Sequence, residues 1–246
     1  MKPILIYTAG ASPALEFARD ELSDCITEDP ECATHLLLPV PSFEPDGSVK
    51  GGISTEALLR KLPRGIPIIG GNLNHPSLEG HDTLDLLQDP FYVAQNAAIT
   101  AHCALGMILP KLSVTLSGQR VLILGFGRIG KCLADLLGRI GAKVTVAARK
   151  DRDRAMAEAL GFESEVPGQC RAADYRVIVN TVPAPLLDAA DCAANTLLLD
   201  LASTRGIAGD RVIWARGLPG KCTPETSGKL IATTLRRLIF GKESTI

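Results

Sequence analysis

Neither sign of charge dominates this chain of 246 residues, whose net charge is only -1. A broad electrostatic attraction to nucleic acid or to an anionic membrane is therefore excluded, and any anion must be bound locally. No run approaches the ~20 apolar residues of a membrane helix. The apolar start, Ile4-Leu5-Ile6-Tyr7, ends within a few residues, and Glu16, Arg19 and Asp20 follow, so it reads as a buried strand rather than a signal peptide. The seven cysteines, Cys25, Cys32, Cys103, Cys132, Cys170, Cys192 and Cys222, contain no C-x-x-C pair and have no histidine at ligand spacing. Structural zinc is excluded on that spacing, no metal is expected, and reduced thiols fit better than a disulfide framework. Repeats and low-complexity tracts are absent. The expectation is a cytoplasmic protein without nucleic-acid or membrane partners.

With 46% hydrophobic and 22% charged residues, the composition is that of a globular protein long enough for two modest domains. Short apolar runs alternate with helical patterns throughout. In the first half, strands are expected at Ile4–Tyr7, Leu36–Val40 and Ile66–Ile69. Ser12-Pro13 should open one helix and Ser54 another. Alternating strands and helices favour a parallel sheet, here a small doubly wound domain over residues 1–98. Thr100 to Leu109 looks helical, with Thr100 as a cap and Pro110 at the end, and forms a linker helix within 99–118.

The second domain, 119–223, is sharply patterned: strand Val121–Leu124, helix Arg128–Ile140, strand Val144–Ala147, and a helix near Asp153–Leu160. Further strands follow at Val177–Asn180, Thr196–Leu201 and Arg211–Trp214. Ile129, Leu133, Leu136, Leu137 and Ile140 share one helix face, and Gly141 is a natural stop. A last helix, about 224–241, carries Leu230, Thr234, Leu235 and Leu238 on its apolar side. Arg236, Arg237 and Lys242 near its end suit the helix dipole.

Gly125-Phe126-Gly127-Arg128-Ile129-Gly130 follows a strand and opens a helix, the context that makes G-x-G-x-x-G a dinucleotide fingerprint. One glycine allows the tight turn, the second lets the backbone approach a diphosphate, and the third lets helix and strand pack closely. The helix N-terminus offers unpaired N–H groups to the anion. Gly130-Lys131-Cys132 falls short of a P-loop because it ends in a thiol, a poor Mg²⁺ ligand. The next strand runs into Ala147-Ala148-Arg149-Lys150, with no carboxylate for a ribose diol. Arg149 and Lys150 could pair the 2′-phosphate of NADP, with NAD possible, or be exposed basic residues beside Asp151 and Asp153.

The stretch Val121–Arg149, then Asn180-Thr181-Val182-Pro183, Asp200-Leu201-Ala202-Ser203 and Gly217-Leu218-Pro219-Gly220-Lys221 with Pro224, Thr226 and Gly228, resembles the A-type subunit of dipicolinate synthase. The resemblance reaches back through Leu37-Leu38-Pro39-Val40 and 96–100. It implies a flavodoxin-like N-terminal α/β domain, a Rossmann domain, and a final helix returning to the first domain. It also implies pyridine-nucleotide-dependent formation of dipicolinate from a cyclic lysine-pathway intermediate during sporulation, a flavoprotein-like B-type partner, and a homo-oligomer. Where that family often has Pro-Thr-x-Glu-Gly, this chain has Ile99-Thr100-Ala101-His102-Cys103, so His102 stands at the Glu position.

Ligands of doubly wound folds bind beyond the carboxyl ends of the strands. The expected cofactor contacts are therefore Gly125 to Gly130, Arg149, Lys150, Thr181, Val182 and Pro183. Thr181 to Pro183 could wall the cofactor or be an ordinary strand exit. Dehydrogenation to an aromatic dicarboxylate needs a hydride acceptor, a proton acceptor and donors for two carboxylates. His102 is a candidate base or a plain helix-face histidine, and Lys221 shares the candidate catalytic set. Arg205 and Lys221 could bind carboxylates or be solvated loop charges. Ser203 and Thr100 could orient substrate or cap helices. A D-2-hydroxyacid-type dehydrogenase is set aside because it needs a late acid/base histidine, whereas His35, His75, His81 and His102 all precede the glycine loop. The non-enzyme alternative is a catalytically weak dinucleotide-binding scaffold or sensor within a two-subunit complex.

Overall fold

The computed structural model describes residues 3–241. The chain divides into two compact units, one built from residues up to Asn96 together with those from Pro219 onward, the other from Ala97–Leu218.

In the first unit, β1 (Ile6–Thr8), β2 (His35–Leu37), β3 (Ile68–Gly70) and β4 (Thr83–Asp85) form a parallel sheet in sequential order. A doubly wound sheet reverses direction, whereas this one does not among the described strands, so it has no internal switch point. Helix α1 (Pro13–Glu21) has Pro13 in its first turn, but the Ser12 side chain makes no capping bond; Ser54 does cap α2 (Thr55–Leu59) by accepting from the Ala57 N–H. The strand β4 was not expected from the sequence. It is only three residues long and half-exposed, and it lacks an apolar alternation.

Helix α3 (Pro90–Ile108) starts ten residues before the expected Thr100. The true start signal is Asp89-Pro90: the Asp89 carboxylate accepts from the Tyr92 N–H at 2.8 Å, and proline occupies the first helical position. Thr100 is therefore a buried mid-helix residue and not a cap. Extended through Pro110 to Lys111, this helix is long and apolar enough to cross a membrane, with mean hydropathy 1.2, contrary to the sequence expectation. Its Ala101, Ala104 and Ile108 are fully buried in the core of the second unit.

The second unit holds a six-stranded parallel sheet. Its strands are β5 (Arg120–Leu124), β6 (Lys143–Ala147), β7 (Glu163–Glu165), β8 (Val177–Asn180), β10 (Leu197–Asp200) and β12 (Ile213–Trp214), in the order β12-β10-β8-β5-β6-β7. Two short strands, β9 (Leu187–Asp188) and β11 (Ile207–Ala208), pair separately. From β5 the chain first moves outward to β6 and β7, then returns to β8 and proceeds the other way, so the switch point lies between β5 and β8. One sheet face is covered by α3 and α4 (Arg128–Arg139). Val121 and Ile123 of β5 pack there with Leu133 and Leu137, as the helical spacing requires. Ile140, expected on the same stripe, lies past the end of α4 and is 40% exposed. Gly141 ends the turn with φ +83°, a conformation that favours glycine. Helix α5 (Asp151–Ala159) follows β6.

Past the short α6 (Leu218–Cys222), α7 (Pro224–Ile239) returns to the first unit and lies against α1. A Cβ on Gly228 would stand 2.5 Å from the Phe17 Cβ and 2.6 Å from the Ala14 oxygen, so only glycine permits the approach. Leu230, Thr234 and Leu235 are buried, and Arg236 pairs with Asp24 at 2.6 Å. Lys242 lies outside the described residues.

Candidate functional site: a glycine-turn cleft

The site begins with register. Glu165, Ala147, Leu124, Asn180, Asp200 and Trp214 are successive partners across the sheet, so their strands end level at one rim. From that rim the chain turns at Gly125, with φ +97°.

The three glycines have three different surroundings. A Cβ at Gly125 would lie 2.5 Å from Val182 Cγ2 and 2.7 Å from Thr181 Oγ1. At Gly130 it would lie 2.3 Å from the Gly125 oxygen. At Gly127 it would meet nothing within 4 Å. The outer two glycines are thus required by packing, while the middle one faces open space at the start of α4. No side chain caps that helix; its first backbone bond runs from the Lys131 N–H to the Gly127 carbonyl, leaving the earlier N–H groups without an intrahelical partner. An open position opposite a helix N-terminus is where a diphosphate would be held, so the residues present fit a dinucleotide.

The opening is a cleft of about 210 Å³, whose wall includes Gly125, Phe126, Gly127, Arg149, Lys150, Thr181, Val182 and Pro183. The structure thereby brings together most of the expected cofactor residues. Phe126 contributes backbone, because its ring is buried in the core, with the Lys131 ammonium 5.5 Å from the ring centroid. Arg128 is exposed and Ile129 half-buried against the core; neither lines the cleft.

Several supporting residues escaped the sequence reading. Arg154 reaches back to donate to the Ala148 carbonyl at 2.7 Å and the Arg149 carbonyl at 3.0 Å, and it also pairs with Asp151. It fixes the backbone that presents the exposed Arg149 and Lys150. Asp153, Ala147, Ala148, Pro167 and Leu186 complete the cleft wall.

Asn180 and Asp200, both fully buried, hold the other side. The Asn180 side chain accepts from the Val182 N–H at 3.0 Å and donates to the Val182 carbonyl at 2.9 Å and to Asp200 Oδ1 at 3.0 Å. Asp200 further accepts from the N–H groups of Ala202, Gly206 and Ile207. A buried carboxylate with four donors needs no counter-ion nearby. Thr181 donates through its hydroxyl to the Leu124 carbonyl at 2.9 Å, which ties the wall to the strand before the glycine turn. The legible signal for this network was the pair of polar residues ending two otherwise apolar strands.

The remaining candidates lie elsewhere. His102 is exposed on α3 and Thr100 is buried in it; neither lines the cleft. Ser203 is exposed beyond β10. Arg205 is folded onto its own loop, donating to the Ile207 carbonyl at 3.0 Å and to the Gly209 carbonyl, so its guanidinium is committed to holding that loop rather than to a ligand. Lys221 is exposed in α6 and falls in the first unit. Among the described residues no cluster of metal-ligating side chains occurs. Burial raises the thiols of Cys132 and Cys192, and pushes Cys170 up to about 12 with help from Glu165, so none of these three is a thiolate at neutral pH.

A switch-point crevice, a three-glycine turn and an open helix N-terminus define a dinucleotide-binding fold of Rossmann type. Residues 109–189 match the family described as D-isomer specific 2-hydroxyacid dehydrogenase, NAD binding domain. The chain is similar to the A-type subunit of dipicolinate synthase from Bacillus subtilis (strain 168), at 25% identity over 229 residues, covering 83% of this chain and 77% of the relative. Two solved structures agree in fold. The A-type subunit of dipicolinate synthase from Bacillus halodurans has TM-score 0.85 at 23% identity, covering 96% of this chain and 97% of that one. A transhydrogenase from Sinorhizobium meliloti has TM-score 0.71 at 14% identity, covering 94% and 92%. The resemblance read from the motifs is upheld. Setting aside the 2-hydroxyacid dehydrogenases went too far in one respect: residues 109–189 match the model of their coenzyme domain, although this chain has no histidine after the glycine loop.

Proposed function

We propose that this protein is an NADP-dependent oxidoreductase resembling the A-type subunit of dipicolinate synthase. It would form dipicolinate from a dihydro- or hydroxytetrahydrodipicolinate intermediate of the lysine pathway, in the cytoplasm of a sporulating cell. The observation that carries the reading is the open position at Gly127 beside Arg149 and Lys150, with no carboxylate ending β6. The N–H groups opening α4 hold a diphosphate, and Arg149 and Lys150, braced by Arg154, pair a 2′-phosphate. Val182, held by the Asn180–Asp200 network, walls the cleft on the side toward β8.

Bound there, a nicotinamide coenzyme supplies a two-electron hydride acceptor. Overall, the hydroxytetrahydro ring loses water, and the resulting dihydro ring gives up one hydride and one proton to become the aromatic pyridine dicarboxylate. The titratable side chains of the cleft wall are Arg149, Lys150 and Asp153, all on the β6 side. That placement favours a second reading, in which the chain is a dinucleotide-binding scaffold or sensor whose partner, flavoprotein-like in the resembled family, completes the chemistry. Assembly as a homo-oligomer belongs to both readings.

One assay separates them. Purified chain with NADP and freshly prepared 4-hydroxytetrahydrodipicolinate should show rising absorbance from reduced coenzyme and pyridine product. Arg149→Asp should weaken NADP at least tenfold while leaving NAD unchanged or tighter, since a charge-assisted pair is lost (about 1.5–3 kcal/mol). Turnover that appears only with a partner and survives Arg149→Asp and Gly127→Asp would replace the enzyme reading with the scaffold.

A further inference from the structure

The crevice has a direction. With the diphosphate at β5 and the basic pair after β6, the redox end of a coenzyme points toward β8. A substrate then lies over the loops that follow β10 and β12. Of the arginines after β10, Arg205 is spent on its own loop, and Arg211 donates to the carbonyls of Ala189, Cys192, Ala193 and Thr196. Arg216 differs. Among the described residues it pairs with no carboxylate and bonds no carbonyl, and its guanidinium carbon stands over the Trp214 ring, 5.3 Å from the centroid.

Trp214 itself is unusual. It is 45% exposed, yet its indole N–H donates to the Ala202 carbonyl at 3.0 Å. That bond satisfies the one polar atom of the side chain and holds the ring against the loop that carries Ser203. The result is a rigid aromatic face left in water at the rim of the sheet, level with Asp200, with an unpaired planar cation on it. The pair lies two strands from β8, roughly 10 Å at ordinary strand spacing.

We propose that Trp214, Arg216 and Ser203 form the subsite for a planar ring that bears a carboxylate. The guanidinium fork takes the carboxylate, the part of the indole that Arg216 leaves exposed takes the ring, and the Ser203 hydroxyl is the neighbouring donor. This rests on the coenzyme orientation proposed above. It assigns to Arg216 the carboxylate contact that sequence reasoning gave to Arg205.

The chain contains a single tryptophan, so fluorescence excited at its absorption edge reports on the subsite alone. The full chain is titrated with pyridine-2,6-dicarboxylate, with and without NADP, while coenzyme affinity is measured separately by calorimetry. Saturable quenching is expected in at least one condition. Arg216→Gln should weaken the ring anion tenfold or more with coenzyme affinity unchanged within twofold, and Arg216→Lys should fall between. Piperidine-2,6-dicarboxylate, a saturated ring with the same charges on its carboxylates, should bind at least tenfold more weakly. Absence of saturable quenching in both conditions, equal binding by Arg216→Gln, or equal binding of the saturated ring would overturn the proposal. If the ring anion binds as described while no coenzyme does, the subsite stands and the coenzyme reading falls. Trp214→Phe and Trp214→Ala, followed by calorimetry, guard against a variant that does not fold: the first should retain ring binding within about threefold, the second should lose it.

Discussion

Replacing Gly127 by aspartate should make the protein more stable and unable to hold its coenzyme, two effects of opposite sign from one side chain. A Cβ at this position meets nothing within 4 Å, and φ of -77° is open to any residue, so no steric strain opposes the change. Position 127 is the N-cap of α4, where aspartate is slightly preferred to glycine, by a few tenths of a kcal/mol. A carboxylate beside the helix N-terminus adds about 0.3–1 kcal/mol, and loss of glycine from the unfolded chain adds a further ~0.4–1 kcal/mol. The sum of about 1–2 kcal/mol corresponds to a rise of roughly 2–8 °C in the transition of the second unit. The same carboxylate projects into the opening that a diphosphate must enter. At about 4 Å and an effective dielectric of ~20, one pair of like charges costs about 4 kcal/mol, roughly a thousandfold in Kd. Calorimetric titration with NADP and a thermal scan of the same preparation give both numbers. Unchanged coenzyme affinity would refute the reasoning, and so would a loss of affinity accompanied by a lower Tm. Gly130→Ala is the control with the reverse pattern, since its Cβ would press on the Gly125 oxygen and should cost about 1–3 kcal/mol of stability.

Two further outcomes are expected. Asp200→Ala strands four buried donors, from Asn180, Ala202, Gly206 and Ile207, and should lower the second unit's stability by about 3–5 kcal/mol, read as a Tm drop of about 10 °C or more. In the first unit, the hydrogen bond from Arg236 holds the Asp24 carboxyl below its ordinary value of 3.8. A depressed folded value means that the contribution is complete above the unfolded value and is lost as the pH falls through the folded one. Denaturation at a series of pH values from neutral to strongly acidic should therefore show a smaller acid-side decline in Arg236→Ala than in the wild type; parallel curves would remove the Asp24–Arg236 pair from the stability of the α1–α7 packing.

The resemblance and the coenzyme turn were legible for a local reason. Strand, glycine turn and helix are consecutive in the chain, so apolar spacing and the Gly125–Gly130 pattern carry nearly all the information. Arg128 as the first residue of α4 and Val177–Asn180 as a strand were readable for the same reason. The start of α3 was misplaced because Ile99-Thr100 looks like a cap, while the operative signal, Asp89-Pro90, stands ten residues earlier. Membrane-like hydropathy and a buried core stripe coexist in that helix, and only its packing distinguishes them.

What residues at a distance do to one another was beyond the sequence. Arg205 and Arg216 are equivalent as letters. Their difference arises because one loop curls back until its own carbonyls take the guanidinium, whereas the next strand delivers its arginine onto an indole. Asn180 and Asp200 likewise become one network only when β8 and β10 pair in register. Patterns within about ten residues sufficed for the turn and its helix; the partners of each polar side chain were decided by strand order and register, because a hydrogen bond needs its two atoms within about 3 Å, whatever their separation along the chain.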